Sequence, residues 1–274
     1  MKVLSKIAEV RALLDPARAQ GNTIGVMGTS GRMHAGHLSL VERAVAENDL
    51  AIMFWMGAGP GLYERNWDDD SKLIATTCIE YAYVPDYSDF MPERPALTVT
   101  SVPQLSSGAP PMEEIEHLEA VSTMTAKLFN VFGSMRYYSG EKDWQQLAIF
   151  KRMVIDMSYD IEVVGCPVVR EPDGLAMSSR NVRLTPEQRA QAAALYRALV
   201  AGQQAIESGK TDSAQVVALV REEMAGAGEV VYVHALDAAT LQPMERLAGE
   251  IRLIASLQLG NVPLVDNVGA VAGR

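Results

Sequence analysis

Apolar residues recur along the chain in two patterns that predict helices and buried strands. Apolar positions three or four residues apart mark one face of a helix, whereas short continuous apolar runs are typical of strands buried on both sides. Up to about residue 170 the two patterns alternate, which predicts a Rossmann-like, doubly wound parallel sheet of the α/β class. The predicted strands are residues 23–27, 50–55, 81–84, 97–102, 135–138 and 161–164. The predicted helices lie within residues 7–14, 38–44, 71–80, 113–130 and 144–159.

A second, smaller unit is predicted where the composition changes past Asn181 to Ala, Gln, Glu and Arg. Thr185 followed by Pro186 is a typical helix start, because threonine caps the first turn and proline fits within it. Helices are predicted at residues 186–208 and 213–225, followed by strands at 229–236, 251–257 and 262–265. The sequence therefore predicts two domains, residues 1–169 and 170–274, of which the second is a smaller α+β domain.

Composition and charge exclude several classes of protein. The 274 residues are 48% hydrophobic and carry a formal charge of −10, so a strongly basic surface for nucleic acid is not expected. Cys78 and Cys166 belong to no CxxC pair, which argues against a disulfide framework or a zinc site and fits a reducing cytosol. The N-terminus has no export signal, and no apolar stretch reaches the roughly 20 residues of a membrane span. We expect a cytoplasmic protein with no nucleic-acid partner, no membrane partner and no metal site of its own.

The first segment with candidate chemistry is residues 28–37, Gly-Thr-Ser-Gly-Arg-Met-His-Ala-Gly-His, between a predicted strand and a predicted helix. Glycines let the backbone approach a phosphate, and a helix N-terminus offers free N–H groups and partial positive charge. His34 and His37 are three residues apart and can face the same anion. The alternative is a glycine-rich connector with two surface histidines, since short motifs often match by chance. The position after a strand favours a binding site.

The second segment is residues 140–146, Gly-Glu-Lys-Asp-Trp-Gln-Gln, again between a predicted strand and a helix. Lys142 offers a mobile positive charge to a polyphosphate, while Asp143 and Gln146 can bind hydroxyl groups. The alternative is a solvated helix start in which Asp143 is an N-terminal charge.

The third segment is residues 169–181, in which a Pro-Asp-Gly turn precedes Ser178, Ser179 and Arg180. Two hydroxyls and a guanidinium in succession provide directed hydrogen bonds to phosphate without a basic domain. Taken singly, the segment can also be an interdomain loop. Three such loops in one chain together favour a site for a nucleotide.

These segments resemble the pantothenate synthetase family, also called pantoate–β-alanine ligase, in the nucleotidyltransferase superfamily with a His-x-Gly-His signature. The resemblance runs from His34 through residues 127–130, 140–146, 163–165 and 170–181 to Asp266-Asn267. It implies a Rossmann-like domain with a C-terminal lid, commonly a homodimer. It also implies ATP and Mg²⁺ as cofactors, and a reaction in which a small carboxylic acid and an amine form an amide through an acyl-adenylate.

The resemblance also implies roles for individual residues. Those implied for catalysis at the triphosphate are His34, His37, Lys142, Ser178, Ser179 and Arg180. Those implied for binding the rest of the nucleotide are Gly36, Gly140, Asp143, Val169 and Met177. Those placed at the acid pocket are Ser30, Met56 and Gln146.

The sequence departs from the family pattern around the acid pocket. Ser30 stands where the family has a methionine, and Met56 lies in a segment that lacks the family's Asn and Gln. A site that loses hydrogen-bonding groups changes its substrate preference, so we expect an acid or amine other than pantoate and β-alanine. One of Glu114, Glu116 and Glu119 at the pocket would favour an amine-bearing substrate; otherwise these glutamates form a solvated helix face.

Three functional hypotheses follow from the resemblance and its departures. The first is a carboxylate–amine ligase with changed specificity, and the second is a divergent but authentic pantothenate synthetase. The third is an ATP-binding protein or nucleotidyltransferase without ligase turnover.

Overall fold

A computed structural model describes residues 1–57, 66–92, 99, 105 and 115–273. The chain divides into two compact units. The first comprises Met1–Thr100, Glu119–Glu141 and Ile149–Pro167, and the second comprises Ser101–Leu118, Lys142–Ala148 and Val168–Arg274. The domain boundary between residues 169 and 170 stays a prediction.

In the part of the first unit that the structure describes, six strands form a parallel sheet. These are β1 (Lys2–Leu4), β2 (Ile24–Thr29), β3 (Leu50–Trp55), β4 (Tyr81–Tyr83), β5 (Met135–Gly140) and β6 (Ile161–Cys166). Their order across the sheet is β1-β4-β3-β2-β5-β6, and every pairing is parallel. The prediction of a Rossmann-like parallel sheet is confirmed. The strand predicted at residues 97–102 lies outside the described residues except for Val99.

The strand order places a switch point between β2 and β5. β3 and β4 lie on one side of β2, and β5 and β6 lie on the other. Open α/β sheets bind ligands at such a point, outside the carboxyl ends of the strands. The central strands are buried on both faces, since Val26, Met27, Ile52 and Met53 are fully inaccessible to solvent. This burial explains why they appear in the sequence as continuous apolar runs.

Among the described residues the α-helices, in chain order, are α1 (Ile7–Ala19), α2 (Ala35–Glu47), α3 (Trp67–Ile74), α4 (Tyr87–Phe90), α5 (Ile115–Phe132), α6 (Trp144–Asp156), α7 (Pro186–Glu207) and α8 (Ser213–Glu223). The bounds predicted for α3, residues 71–80, were wrong. Its start is set by Asn66, whose side chain accepts the N–H of Asp68 at 3.0 Å. Its end is set by the hydroxyls of Thr76 and Thr77, which bond to carbonyls of the last turn. None of the helices among the described residues is long and apolar enough to cross a membrane.

The second unit contains a three-stranded antiparallel sheet of β7 (Glu229–Asp237), β8 (Gly249–Leu259) and β9 (Val262–Ala272). Helices α7 and α8 share an apolar core with this sheet, which includes Leu199, Val220 and Leu253. The predicted C-terminal α+β domain is therefore confirmed. The strand predicted at residues 262–265 continues to Ala272, because the next two polar residues are buried within it rather than ending it.

Candidate active site

The first group of predicted site residues lies at the N-terminus of α2. His34 is the N-cap of this helix, and its Nδ1 accepts the N–H of Gly36 at 3.2 Å. Nδ1 of His37 in turn accepts the N–H of His34 at 3.4 Å. The helix has no acidic residue of its own in its first turn. Thus the motif forms a reciprocal cap that orients both imidazoles.

The hydrogen bonds of this cap determine which ring nitrogen carries the proton when each imidazole is neutral. A ring nitrogen that accepts a hydrogen bond carries no proton, so the proton of each neutral ring lies on Nε2. The ring centroids of His34 and His37 are 4.2 Å apart with an interplanar angle of 51°. Two Nε2–H donors side by side at a helix N-terminus form a typical arrangement for binding an anion.

The ends of β2, β3 and β5 bring further predicted residues to the same edge of the parallel sheet. Ser30 follows β2 and is exposed, whereas Met56 follows β3 and is buried. The backbone N–H of Met56 donates to the carbonyl of Thr29 at 2.8 Å, so these two strand ends are neighbours. Gly140 ends β5, the partner of β2 on its other side. Of the glutamates considered for this pocket, Glu114 and the side chain of Glu116 lie outside the described residues, and Glu119 is half-buried.

The second group of predicted residues lines a cavity in the second unit. Lys142, Ser178, Arg180 and Asp266 are all among the residues that line it. The side chain of Lys142 is 21% exposed, and its Nζ lies 3.2 Å from Oδ1 of Asp143. The residues that line the cavity therefore include two with cationic side chains and one with a hydroxyl, groups that can bind phosphate, beside the carboxylate residue Asp266.

The loop that carries Ser178 is shaped by local hydrogen bonds. The N–H of Met177 donates to the carbonyl of Val169 at 3.0 Å, which closes a short hairpin. Gly174 in its turn has φ +93°, and an added Cβ would lie 2.1 Å from the Tyr196 ring, so only glycine fits there. The hydroxyl of Ser178 accepts the N–H of Arg180 at 3.2 Å.

A buried ion pair supports this loop. Arg170 donates to both carboxylate oxygens of Asp266, at 2.5 and 3.1 Å, and its guanidinium lies 3.9 Å from the centroid of the Tyr196 ring. Burial raises the pKa of Asp266, while the hydrogen bond from Arg170 acts in the opposite direction. The pair joins the 169–177 hairpin to β9.

The residue after Asp266 holds the backbone of Lys142. Nδ2 of Asn267 donates to the Lys142 carbonyl at 2.7 Å, and its Oδ1 accepts from Nε of Arg252 at 2.6 Å. The Arg252 guanidinium stacks on the Trp144 ring, 3.6 Å from its centroid. Asp266 and Asn267 thus connect the two predicted phosphate-binding segments of the second unit.

Replacing Arg170 with methionine is expected to destabilise the protein by about 3–5 kcal/mol at pH 7, because Asp266 is left buried without its cation. In the variant the pKa of Asp266 rises further. A carboxyl with a higher pKa in the folded than in the unfolded state favours folding only at low pH. The deficit should therefore shrink as the pH falls from 7 to 5, as measured by urea unfolding across this range.

The matched control is Arg189→Met, which removes an ion pair with Asp173 whose side chains are 35% and 40% exposed. Exposed pairs contribute about 1 kcal/mol or less. A loss of stability as small in the Arg170 variant as in this control would contradict the structural role assigned to Asp266.

The structure thus brings the predicted residues together in two groups. His34, Gly36 and His37 form one group in the first unit, and Lys142, Ser178 and Arg180 line one cavity in the second. Ser179 follows Ser178 but is not among the residues lining that cavity, and Gln146 lies in the first turn of α6.

Three residues that form hydrogen bonds with these segments, Asp266, Asn267 and Asp70, were not singled out by their chemistry in the sequence. Asp266 and Asn267 do carry a signal, as two consecutive polar residues within an apolar strand. Asp70 carries none, because it stands in an acidic run that is typical of an exposed helix start.

Comparisons with known proteins place the chain in a family. A family model described as pantoate-beta-alanine ligase matches residues 2–269. Pantothenate synthetase 1 of Frankia alni is 41% identical, and pantothenate synthetase of Moorella thermoacetica is 37% identical; each match covers 98% of both sequences. The crystal structure of pantothenate synthetase from Thermus thermophilus matches with a TM-score of 0.86 at 33% identity, covering 98% of this chain and 99% of that one. The chain belongs to the pantoate–β-alanine ligase family.

Proposed function

We propose that this protein activates a small carboxylic acid with ATP and transfers the acyl group to an amine. In the first step a carboxylate oxygen attacks the α-phosphorus of ATP, so that an acyl-adenylate forms and pyrophosphate leaves. In the second step the amine attacks the acyl carbon, the bond to AMP breaks, and the amine loses a proton as the amide forms. The family consists of ATP-dependent, AMP-forming ligases of this kind.

The observation that carries the proposal is the imidazole pair at the N-terminus of α2. As pyrophosphate leaves, negative charge grows on the phosphate oxygens. Donors that are already oriented stabilise this charge without reorganising during the reaction. The reciprocal cap orients the rings of His34 and His37 in this way.

We assign the remaining predicted residues to the same nucleotide. Lys142, Ser178, Ser179 and Arg180 are assigned to its β- and γ-phosphates, since three of these four line one cavity. The residues assigned to the rest of the nucleotide are Gly36, Gly140, Asp143, Val169 and Met177. Among the described residues no three His, Cys, Asp or Glu side chains are grouped to hold a metal ion. Mg²⁺ is proposed to arrive bound to the oxygens of ATP, which are ligands that it prefers.

The acid is proposed to differ from pantoate. The residues proposed for the pocket are Ser30, Met56 and Gln146. By the family resemblance, the Ser30 hydroxyl stands where the family has a methionine, and the buried thioether of Met56 lies in a segment that lacks the family's Asn and Gln. A polar substrate loses affinity when its hydrogen-bonding partners are missing. On the family resemblance and the pI of about 5.0, the protein is also proposed to be a cytoplasmic homodimer that binds neither nucleic acid nor membrane.

Exchange of labelled pyrophosphate into ATP across a panel of acids tests the function. The panel contains pantoate, apolar acids of similar size and amine-bearing acids. We expect acid-dependent exchange, with another acid preferred over pantoate by at least about tenfold in kcat/KM. A preference for pantoate would identify an authentic pantothenate synthetase, and exchange with none of the acids would overturn the ligase assignment.

A further inference from the structure

Asp70 is a buried carboxylate in the first turn of α3, where the other two acidic side chains are exposed. Asp68 and Asp69 precede it in α3 and are exposed, whereas Asp70 is only 5% exposed. Charged side chains are seldom buried unless hydrogen bonds or an opposite charge compensate for the lost hydration. The contacts of Asp70 therefore indicate why the chain keeps a carboxylate at this position.

Three N–H groups donate to the two oxygens of Asp70. The backbone N–H of Arg32 donates to Oδ2 at 2.9 Å, and that of Met33 donates to Oδ1 at 2.7 Å. Nε1 of Trp55 donates to Oδ2 at 2.8 Å. Two of these donors belong to the loop that leads into His34, and the third belongs to the last residue of β3.

The loop that Asp70 binds has an unusual backbone. Arg32 has φ +55° and follows Gly31 with φ +95°, so two consecutive residues lie in the left-handed region. For a residue other than glycine this conformation costs about 1–2 kcal/mol. Consecutive N–H groups in such a turn form a concave site for an anion, and here the anion is the carboxylate of Asp70.

The hydrogen bonds to Asp70 reduce the number of backbone N–H groups with which this loop can bind a nucleotide. The N–H groups of Arg32 and Met33 already bind Asp70, so the candidate anion donors of this segment lie further along, at the histidines and the start of α2. Because Met33 is adjacent to His34, the carboxylate fixes the backbone from which the reciprocal histidine cap begins. Its bond to Trp55 ties this loop to the strand end that precedes Met56.

We infer that Asp70 is a positioning residue for the adenylation step: it holds the left-handed turn at Arg32 and thereby sets the placement of His34 and His37. The inference rests on the proposed role of these histidines at the phosphates of ATP. Asp70 acts through the loop and not on the substrate. Its effect should appear mainly in kcat, because a misplacement of about 1 Å can slow a reaction about 100-fold.

The test compares Asp70→Asn with Asp68→Asn. An asparagine at position 70 keeps the size of the side chain but directs an NH₂ group at one of the three donors. We expect kcat for pyrophosphate exchange to fall about 10- to 100-fold, with a change in KM for ATP of less than about threefold. Asp68→Asn removes the same charge from the same helix turn and should stay within about twofold of wild type.

A second variant, Trp55→Phe, tests the inference independently if Asp70→Asn does not fold. Trp55→Phe removes one donor to Asp70 and keeps an aromatic ring, and it should lower kcat about three- to tenfold. Its control is Trp67→Phe, which alters the ring that contacts Trp55 edge-on at 5.3 Å but has no bond to Asp70. Circular dichroism establishes that each variant is folded at the assay temperature.

Histidine NMR separates this inference from the proposed function. The chain has four histidines, so the ring signals of His34 and His37 can be followed individually. We expect Asp70→Asn to change the ring-proton chemical shifts of these two residues, whose rings lie 4.2 Å apart, and to leave those of His117 and His234 unchanged. Unchanged ring signals in the folded Asp70→Asn variant would overturn the inference, with or without a loss of kcat. An absence of exchange in the wild type would instead overturn the proposed function, and the NMR result would still decide the role of Asp70.

Discussion

Replacing His34 with asparagine is expected to slow acid-dependent pyrophosphate exchange by about 10²- to 10³-fold, the usual cost of removing one oriented donor to a charged transition state. The fold should be retained, because asparagine is a favourable N-cap and its Oδ1 can take the place of Nδ1 as acceptor for the Gly36 N–H. The free energy of unfolding should therefore change by less than about 0.5 kcal/mol, while kcat falls.

The matched variant is His34→Gln, whose longer amide reaches towards the position of Nε2. It should retain more exchange activity than His34→Asn although it caps the helix less well. The same pair of substitutions at His37 should follow the same order. If the asparagine variants were as active as wild type, or if the loss of activity followed the loss of stability instead, the imidazoles would have no role as phosphate donors.

Replacing Lys142 with methionine is expected to reduce exchange by a similar factor, about 10²- to 10³-fold. Methionine keeps the unbranched side chain but removes the charge from the cavity that Lys142 shares with Ser178 and Arg180. Lys142→Arg should recover only part of the rate, because a planar guanidinium does not replace a compact ammonium group. Steady-state exchange at saturating acid measures both variants.

Lys151→Met is the control for Lys142→Met. Lys151 is exposed on α6 and is not among the residues that line the cavity, and its substitution makes the same change in net charge. It should alter exchange less than about twofold, the effect expected of an ordinary surface substitution. Equal losses in the two variants would mean that net charge, and not the position of Lys142, determines the rate.

The sheet was predictable because its strands are buried on both faces. Such strands appear as continuous apolar runs, and β2 and β3 were recovered in this way with bounds that differ by at most two residues. β1 was missed because a strand of three residues is too short to show a pattern of apolar positions. Its pairing with β4 depends on contacts between distant parts of the chain. The bounds of α3 were missed because side-chain caps, not apolar spacing, set its two ends.

The site was predictable where its residues are close in sequence. His34, Gly36 and His37 cap one helix, so their arrangement follows from local spacing. The meeting of Lys142 with Ser178 depends on the fold, and only the family resemblance indicated it. The burial of Asp70 could not be predicted from the sequence, because an acidic run at a helix start does not indicate which carboxylate is buried.

The central claim is that a carboxylate of the substrate attacks the α-phosphorus of ATP. The most direct measurement uses the preferred acid with both carboxylate oxygens replaced by ¹⁸O, and mass spectrometry of the AMP released after the amine is added. We predict one ¹⁸O atom in each AMP, because the attacked phosphorus keeps the bridging oxygen when the acyl group departs. Unlabelled AMP, or ¹⁸O in orthophosphate released together with ADP, would contradict the acyl-adenylate mechanism.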